Sequence, residues 1–204
     1  PNQKVLGGNL RFGFLLPEIA KRLQLIAEVG IERITNNGPK TTVPLLQPIV
    51  ERTFQTGTLK WVGLDLARDT RNHQVYPSEG VKTSLNAKIA PPGINGQFSY
   101  FKWELEGSYY RSLIDVDSLV LCLHAKGGRI TSLSETLPVP FKELFHMGGQ
   151  STVRGFLWGG IGPAWVTGDP LGARNAIQFN TELIFPLIPD YSMKAHLFYD
   201  AGAG

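Results

Sequence analysis

Apolar and polar residues alternate with a period of two through most of this chain, in runs far longer than an ordinary strand. In RLQLIAEVGIERI, Leu23, Leu25, Ala27, Val29 and Ile31 share one face, while Arg22, Gln24, Glu28 and Glu32 share the other, with Ile26 the exception. In VKTSLNAKI, Leu85, Ala87 and Ile89 oppose Lys82, Ser84, Asn86 and Lys88. In YFKWELEGSYY, Phe101, Trp103, Leu105 and Tyr109 oppose Lys102, Glu104, Glu106 and Ser108. LVLCLHAKG sets Leu119, Leu121, Leu123 and Ala125 against Cys122, His124 and Lys126. Successive side chains leave a strand on opposite faces, so each segment has one greasy and one wet side. GGNLRFGFLL, TLKWVGLDLAR, NAIQFNTELIF and MKAHLFYDAG complete the set of candidate strands. Several exceed the usual ~5–6 residues of soluble sheets and match the ~9–11 of a tilted membrane-crossing strand.

Loop lengths add a second constraint. Two gaps are long, from about Thr35 to Thr58 and from about Arg129 to Arg174. In an up-and-down meander both fall on one side, the asymmetry of outer-membrane barrels with brief turns opposite long loops. VPLLQPIVERTF in the first of them reads as a short helix after Pro44, interrupted by Pro48. The expected fold class is therefore all-β, an antiparallel transmembrane β-barrel. Alternation does not say which face is inside, so a soluble β-sandwich or lipocalin-like barrel is the competing reading.

Composition narrows the function. Lysine and arginine number 20 against 17 acids, and they are scattered, so nothing recommends a nucleic-acid partner. Cys122 stands alone, which excludes an internal disulfide and reads as a small apolar filler. His73, His124, His146 and His196 lack metal-site spacing, so no metal is expected. No apolar run approaches the ~20 residues of a membrane helix. GGIGP lacks the lysine and the helix of a phosphate loop. Nothing places serine, histidine and aspartate as a triad; neither enzymatic activity nor a cofactor is expected. Trp61, Trp103, Tyr109, Tyr110, Trp158 and Trp165 suit either a headgroup-level girdle or core packing. PNQKVLGGNL opens strand-like without a signal peptide and FYDAGAG closes on a strand, so a fragment of a longer protein is expected.

Within the second long gap, GGQSTVRGFLWGGIGP sets one arginine among glycines and bulky apolar residues. Gly148, Gly149 and Gly155 allow the backbone to fold back on itself in a confined space. Arg154 stays charged, so leaving water requires carboxylates. Parity offers two: Glu182 shares a face with Gln178 and Asn180, and Asp200 with Lys194 and His196. Phe198 breaks the pattern on that polar face.

GGQSTVRGF, followed by GDPLG, NTELIFPL and FYDAG, closely resembles the BamA-like outer-membrane protein assembly factors of the bacterial surface-antigen superfamily. LDLARDTRNHQVYPSEG independently resembles that family's D-x-R…[FY]-P-x-x-G turn, at Asp69, Arg71, Tyr76, Pro77 and Gly80. The resemblance implies about eight strands of a sixteen-stranded barrel, with residues 1–204 a partial C-terminal barrel domain. It implies POTRA domains before the chain and further strands after it, both absent here. The tip Val153, Arg154, Gly155 and Phe156 is then expected inside the lumen, on a loop of about residues 129–174, with Glu182 and Asp200 as its anchors. The implied function is assembly and insertion of β-barrel proteins into the bacterial outer membrane, without nucleotide or metal. Implied partners are outer-membrane lipid, unfolded barrel substrates and periplasmic accessory subunits. A translocation pore of the same superfamily, of the two-partner secretion or organelle import type, shares the loop motif, although GDPLG leans toward the assembly branch. A soluble β-sandwich binding module is the remaining alternative. The seam between first and last strands, thought to template incoming strands in the family, has no residue assigned here.

Overall fold

The computed structural model describes residues 2–16, 22–37, 54–114, 119–165, 168–188 and 193–204. Eight strands form one sheet in chain order. They are β1 (Asn2–Leu15), β2 (Leu23–Asn37), β3 (Gly57–Asp69), β4 (Gly80–Ala90), β5 (Tyr100–Ser112), β6 (Val120–Ser132), β7 (Asn175–Ile188) and β8 (Met193–Ala203). Each pairs antiparallel with its neighbours in sequence. Every segment read as a strand is one, usually a few residues longer than its alternation suggested.

The meander puts the gaps at residues 38–56, 91–99 and 133–174 at one end of the sheet, the long-loop end. The expected helix in VPLLQPIVERTF lies outside the described residues, Phe54 apart. The second long loop begins later than expected: β6 continues to Ser132, with Arg129 still paired to Trp103 and Asn175. Pairing with β5 as far as Tyr100 and Ser132 holds those extra residues in the sheet, and on the other side the Ile130 N–H donates to the Arg174 carbonyl over 2.7 Å.

Parity is realised with the wet side inward. Leu10, Leu64, Leu105, Ile177 and Leu197 are exposed, whereas Glu28, Gln178 and Asn180 are buried. A water-soluble barrel would have the reverse arrangement; an apolar outer band around a polar interior is the membrane barrel's pattern. The strand carboxylates Glu28, Glu32, Asp65, Asp69, Glu104, Glu106, Glu182 and Asp200 all fall on the inward face by register. They are bound there by partners such as Arg11, which meets Glu28 at 2.9 Å, and Lys126, which meets Glu104 at 2.9 Å.

An apolar cluster of Ile34, Leu59, Trp61, Ala90, Phe98, Tyr100, Ile130 and Val139 fills the inward side near the long-loop end, and Leu144 and Phe145 of the long loop pack against it. The aromatics therefore divide. Trp103 and Tyr109 face outward, as a girdle requires. Trp61 is buried inward, with the Lys88 ammonium 4.2 Å from its ring centroid. Tyr110 also lies inward, opposite Cys122. Trp158 stacks on His146 within the loop, and Trp165 lies in the loop with its backbone N–H bonded to Asp169.

Candidate functional site

The long loop returns to the inward face and is held there at two places. At its tip, Arg154 Nε and Nη2 each donate to Asp200 over 2.6 Å, a bidentate fork. Its backbone N–H donates to the same carboxylate over 2.9 Å, and Nη1 meets Glu182 at 2.7 Å. The planar guanidinium matches a carboxylate two-on-two, which an ammonium does not. Its pKa is raised further by the hydrogen bonds it donates to Asp200 and by the charge of Glu182, against the opposing effect of burial. Parity nominated both acids, and the structure puts both on the arginine.

The Phe198 ring centroid lies 3.6 Å from the guanidinium carbon, under the cation. The apparent break in alternation is thus an aromatic floor for Arg154, of a type worth ~0.5–2 kcal/mol. Asn180 completes the cradle, donating to Asp200 and to the Thr152 carbonyl over 2.8 Å each. Gln178 in turn donates to Asn180 over 2.7 Å. Asn180 pairs with Asp200, and Glu182 with Phe198, across β7 and β8. Two adjacent strands thereby present a prebuilt anion-and-ring socket.

Local backbone chemistry aims the tip. Gly148 has φ of 108°, and a Cβ there would lie 2.3 Å from the Leu157 carbonyl oxygen, so only glycine fits. Its N–H donates to the Thr152 hydroxyl over 2.8 Å, closing the turn before the motif. Gly149 and Gly155 also have positive φ. Val153 is buried against Gly202 of β8, where a Cβ would come within 2.9 Å of the valine side chain. Phe156 is exposed and takes no part in the clamp.

The second hold lies at the loop's base and was missed in the sequence. Glu143, in a single 3-10 turn at Phe141–Glu143, is buried and meets Lys88 at 2.7 Å and Lys102 at 3.7 Å. Lys102 also donates to the Glu143 carbonyl over 3.0 Å, and the neighbouring Lys142 reaches Glu32 of β2. Burial pushes the Glu143 carboxyl up, yet Lys88, Lys102 and Lys142 outweigh it and hold the group below the ordinary glutamate range. Lys88 and Lys102 oppose each other across β4 and β5. Like charges so placed repel, and the shared acid relieves them.

The turn motif forms a separate unit at the short-turn end. Asp69 accepts from Arg71 Nε over 2.9 Å and Nη2 over 2.7 Å. Arg71, its pKa raised chiefly by that bond, lies 5.9 Å from the Tyr110 ring centroid. Gly80, with φ of 108°, admits the backbone of Arg71 where a Cβ would come within 2.6 Å. Tyr76 stacks on His73 and receives the Lys194 ammonium 4.8 Å from its ring centroid, tying the turn to β8. Pro77 precedes Ser78, whose N–H donates to the Asn72 side chain over 3.1 Å. Neither motif lends itself to covalent chemistry, and no group of metal-ligating side chains occurs among the described residues.

Fold and site define a polar-lined wall of a membrane β-barrel with a loop clamped against its inner face. The Omp85 superfamily domain matches residues 1–203, and the chain belongs to that superfamily. The chain is 27% identical to the outer membrane protein assembly factor BamA of Neisseria meningitidis serogroup B, an alignment covering 72% of this chain and 18% of that protein. It is 32% identical to a SAM50-like protein of Drosophila melanogaster, covering 58% of this chain and 26% of that one. It is 24% identical to the sorting assembly machinery 50 kDa subunit of Saccharomyces cerevisiae, covering 69% and 29% respectively. The chain thus spans less than a third of the length of these curated relatives. The crystal structure of BamA from Haemophilus ducreyi lacking POTRA domains 1–3 superposes with a TM-score of 0.79 at 19% identity, covering 98% of this chain and 42% of that one.

Proposed function

We propose that this chain is part of a sixteen-stranded barrel that assembles and inserts β-barrel proteins into an outer membrane, that of a bacterium in the specific reading. The barrel works without enzymatic turnover, nucleotide or metal. Its partners are membrane lipid, unfolded barrel substrates and accessory subunits on the short-turn side.

The observation carrying this reading is the Arg154 tip clamped by Asp200 and Glu182 across β7 and β8. A loop fixed at tip and base braces one inner wall of the barrel, so that deformation needed to admit a new strand is confined to another part of it. Relatives named as an assembly factor and as a sorting assembly subunit support insertion over transport through the lumen. Depletion of the full-length parent protein tests the choice. Loss of many unrelated outer-membrane barrels with growth arrest is expected; loss of a single secreted or imported substrate with normal barrel levels would make it a translocation pore.

A further inference from the structure

The outward face of this wall carries cations and, on its strands, no carboxylate. Towards the long-loop end the outward positions include Lys4, Arg33 and Lys60, on three neighbouring strands. Register makes them a diagonal row: Arg33 pairs with Leu6 and with Thr58, one outward position from Lys4 on β1 and from Lys60 on β3. Lys4 and Arg33 are exposed. Every acid on these strands faces the other way, so the row has no strand partner for its charge on its own side.

Directly below the row the wall is hollowed. An apolar groove of about 630 Å³ runs between Leu10, Val29, Ile31, Val62 and Ile94, with Lys60 at its rim. Two features open it. Gly8 is an outward position of β1 where an added Cβ would meet nothing within 4 Å. The β3–β4 pairing stops at Val62 and Ile89, leaving the first part of β3 flanked by residues 91–99. That segment is bonded in place: the Gln97 N–H donates to the Thr58 carbonyl over 2.9 Å, and Lys60 donates to the Ile94 carbonyl over 2.8 Å. Among the described residues that carbonyl is the hydrogen-bond partner of the Lys60 ammonium, whose other two donors are then available to an anion.

We propose that this groove is a binding site for a membrane phospholipid of net negative charge, with an acyl chain along Leu10, Val29 and Val62 and the anionic head held by Lys60 and Arg33. The occupant follows from the two chemistries that meet here. An apolar channel on a lipid-facing wall accepts hydrocarbon, and a cation row with no strand carboxylate on its own face selects an anionic head. The site depends on the barrel standing in a membrane, and not on whether that barrel inserts or transports proteins.

Native mass spectrometry of the full-length parent protein in neutral detergent, offered phosphatidylglycerol or phosphatidylcholine, tests it. Wild type is expected to retain phosphatidylglycerol preferentially. Lys60→Gln and Arg33→Gln should each lower that retention about fivefold, the typical worth of one cation at a lipid surface, and lower retention of the net-neutral phosphatidylcholine far less. Gly8→Phe, whose Cβ meets nothing within 4 Å, should lower retention of both lipids by occupying the channel; Gly8→Leu serves if the phenylalanine variant does not fold. Arg129→Gln, an outward cation on β6 away from the groove, should change nothing. Wild-type retention in Lys60→Gln and Arg33→Gln would overturn the site. So would an equal loss in Arg129→Gln, which means diffuse attraction, or displacement of the lipid by millimolar inorganic phosphate, which means an anion site without the chain.

Discussion

Arg154 directs all three guanidinium nitrogens at two carboxylates, so its geometry matters as much as its charge. Arg154→Lys keeps the cation but loses the fork. Amide exchange across residues 148–156 should therefore be nearly as fast in the lysine variant as in Arg154→Ala. Losing one partner of such a cluster costs ~3–5 kcal/mol when buried; Arg154 is 23% exposed, which puts the loss at the lower end. His146 sets a pH dependence in the same loop. Its Nδ1–H donates to the Leu144 carbonyl over 3.0 Å, Nε2 has no hydrogen-bond partner among the described residues, and Trp158 and Phe141 pack on its ring. Burial, aided by the charge of Lys102, lowers its pKa from the ordinary 6.5. A histidine buried neutral contributes stability above that ordinary value and loses it as pH falls from there through the lowered one. Protection of the loop amides, taken relative to their intrinsic exchange rate at each pH, should fall between neutral and mildly acidic pH in wild type, and His146→Phe should abolish that fall. Glu143 acts in a lower window. Its depressed pKa keeps the base anchored through mild acidity, the anchor failing only as pH falls below the glutamate range. In Glu143→Gln, proteolysis near residues 133–147 should be fast already at neutral pH.

At the scale of elements, period-two alternation made the strands legible, because a wall with one face in lipid and one in a polar lumen imposes it on every residue. The same parity picked Glu182 and Asp200, since both lie on strands that pair directly. Glu143 was not legible. Its lysines come from β4 and β5, and only the register reveals that Lys88 opposes Lys102 and that the pair needs an acid. Trp61 escaped for a related reason: a tryptophan in a barrel strand suits girdle or interior equally, and only pairing fixes its side. Phe198 looked like a defect because parity has no place for an aromatic beneath a cation. Gly202 extends the lesson to β8, where a side chain would enter the space of Val153 and Met147, a Cβ coming within 2.6 Å of the Met147 methyl. Gly202→Leu should leave the strands paired and displace the loop, seen as unchanged β-sheet circular dichroism with a protease-sensitive residue 148–158 segment.

On the scale of the whole molecule, the wall sorts charge by face. Acids and their partners point to the lumen, apolar residues to lipid, and the outward cations lie towards strand ends. That sorting explains how a chain with mean hydropathy of only -0.07 belongs in a membrane: the sum averages two faces that never share a solvent. The loop joins these scales, since a tip fixed to β7 and β8 and a base fixed to β4 and β5 brace one curved wall across its inner side. The most direct measurement is a double-mutant cycle of Arg154→Ala and Asp200→Ala on the full-length parent barrel, read by urea unfolding in lipid vesicles. If the clamp holds the loop in the lumen, the two losses will fall short of additivity by roughly 1–3 kcal/mol, the range for directly coupled groups. Additive losses would mean that the two residues act independently, contradicting the clamp.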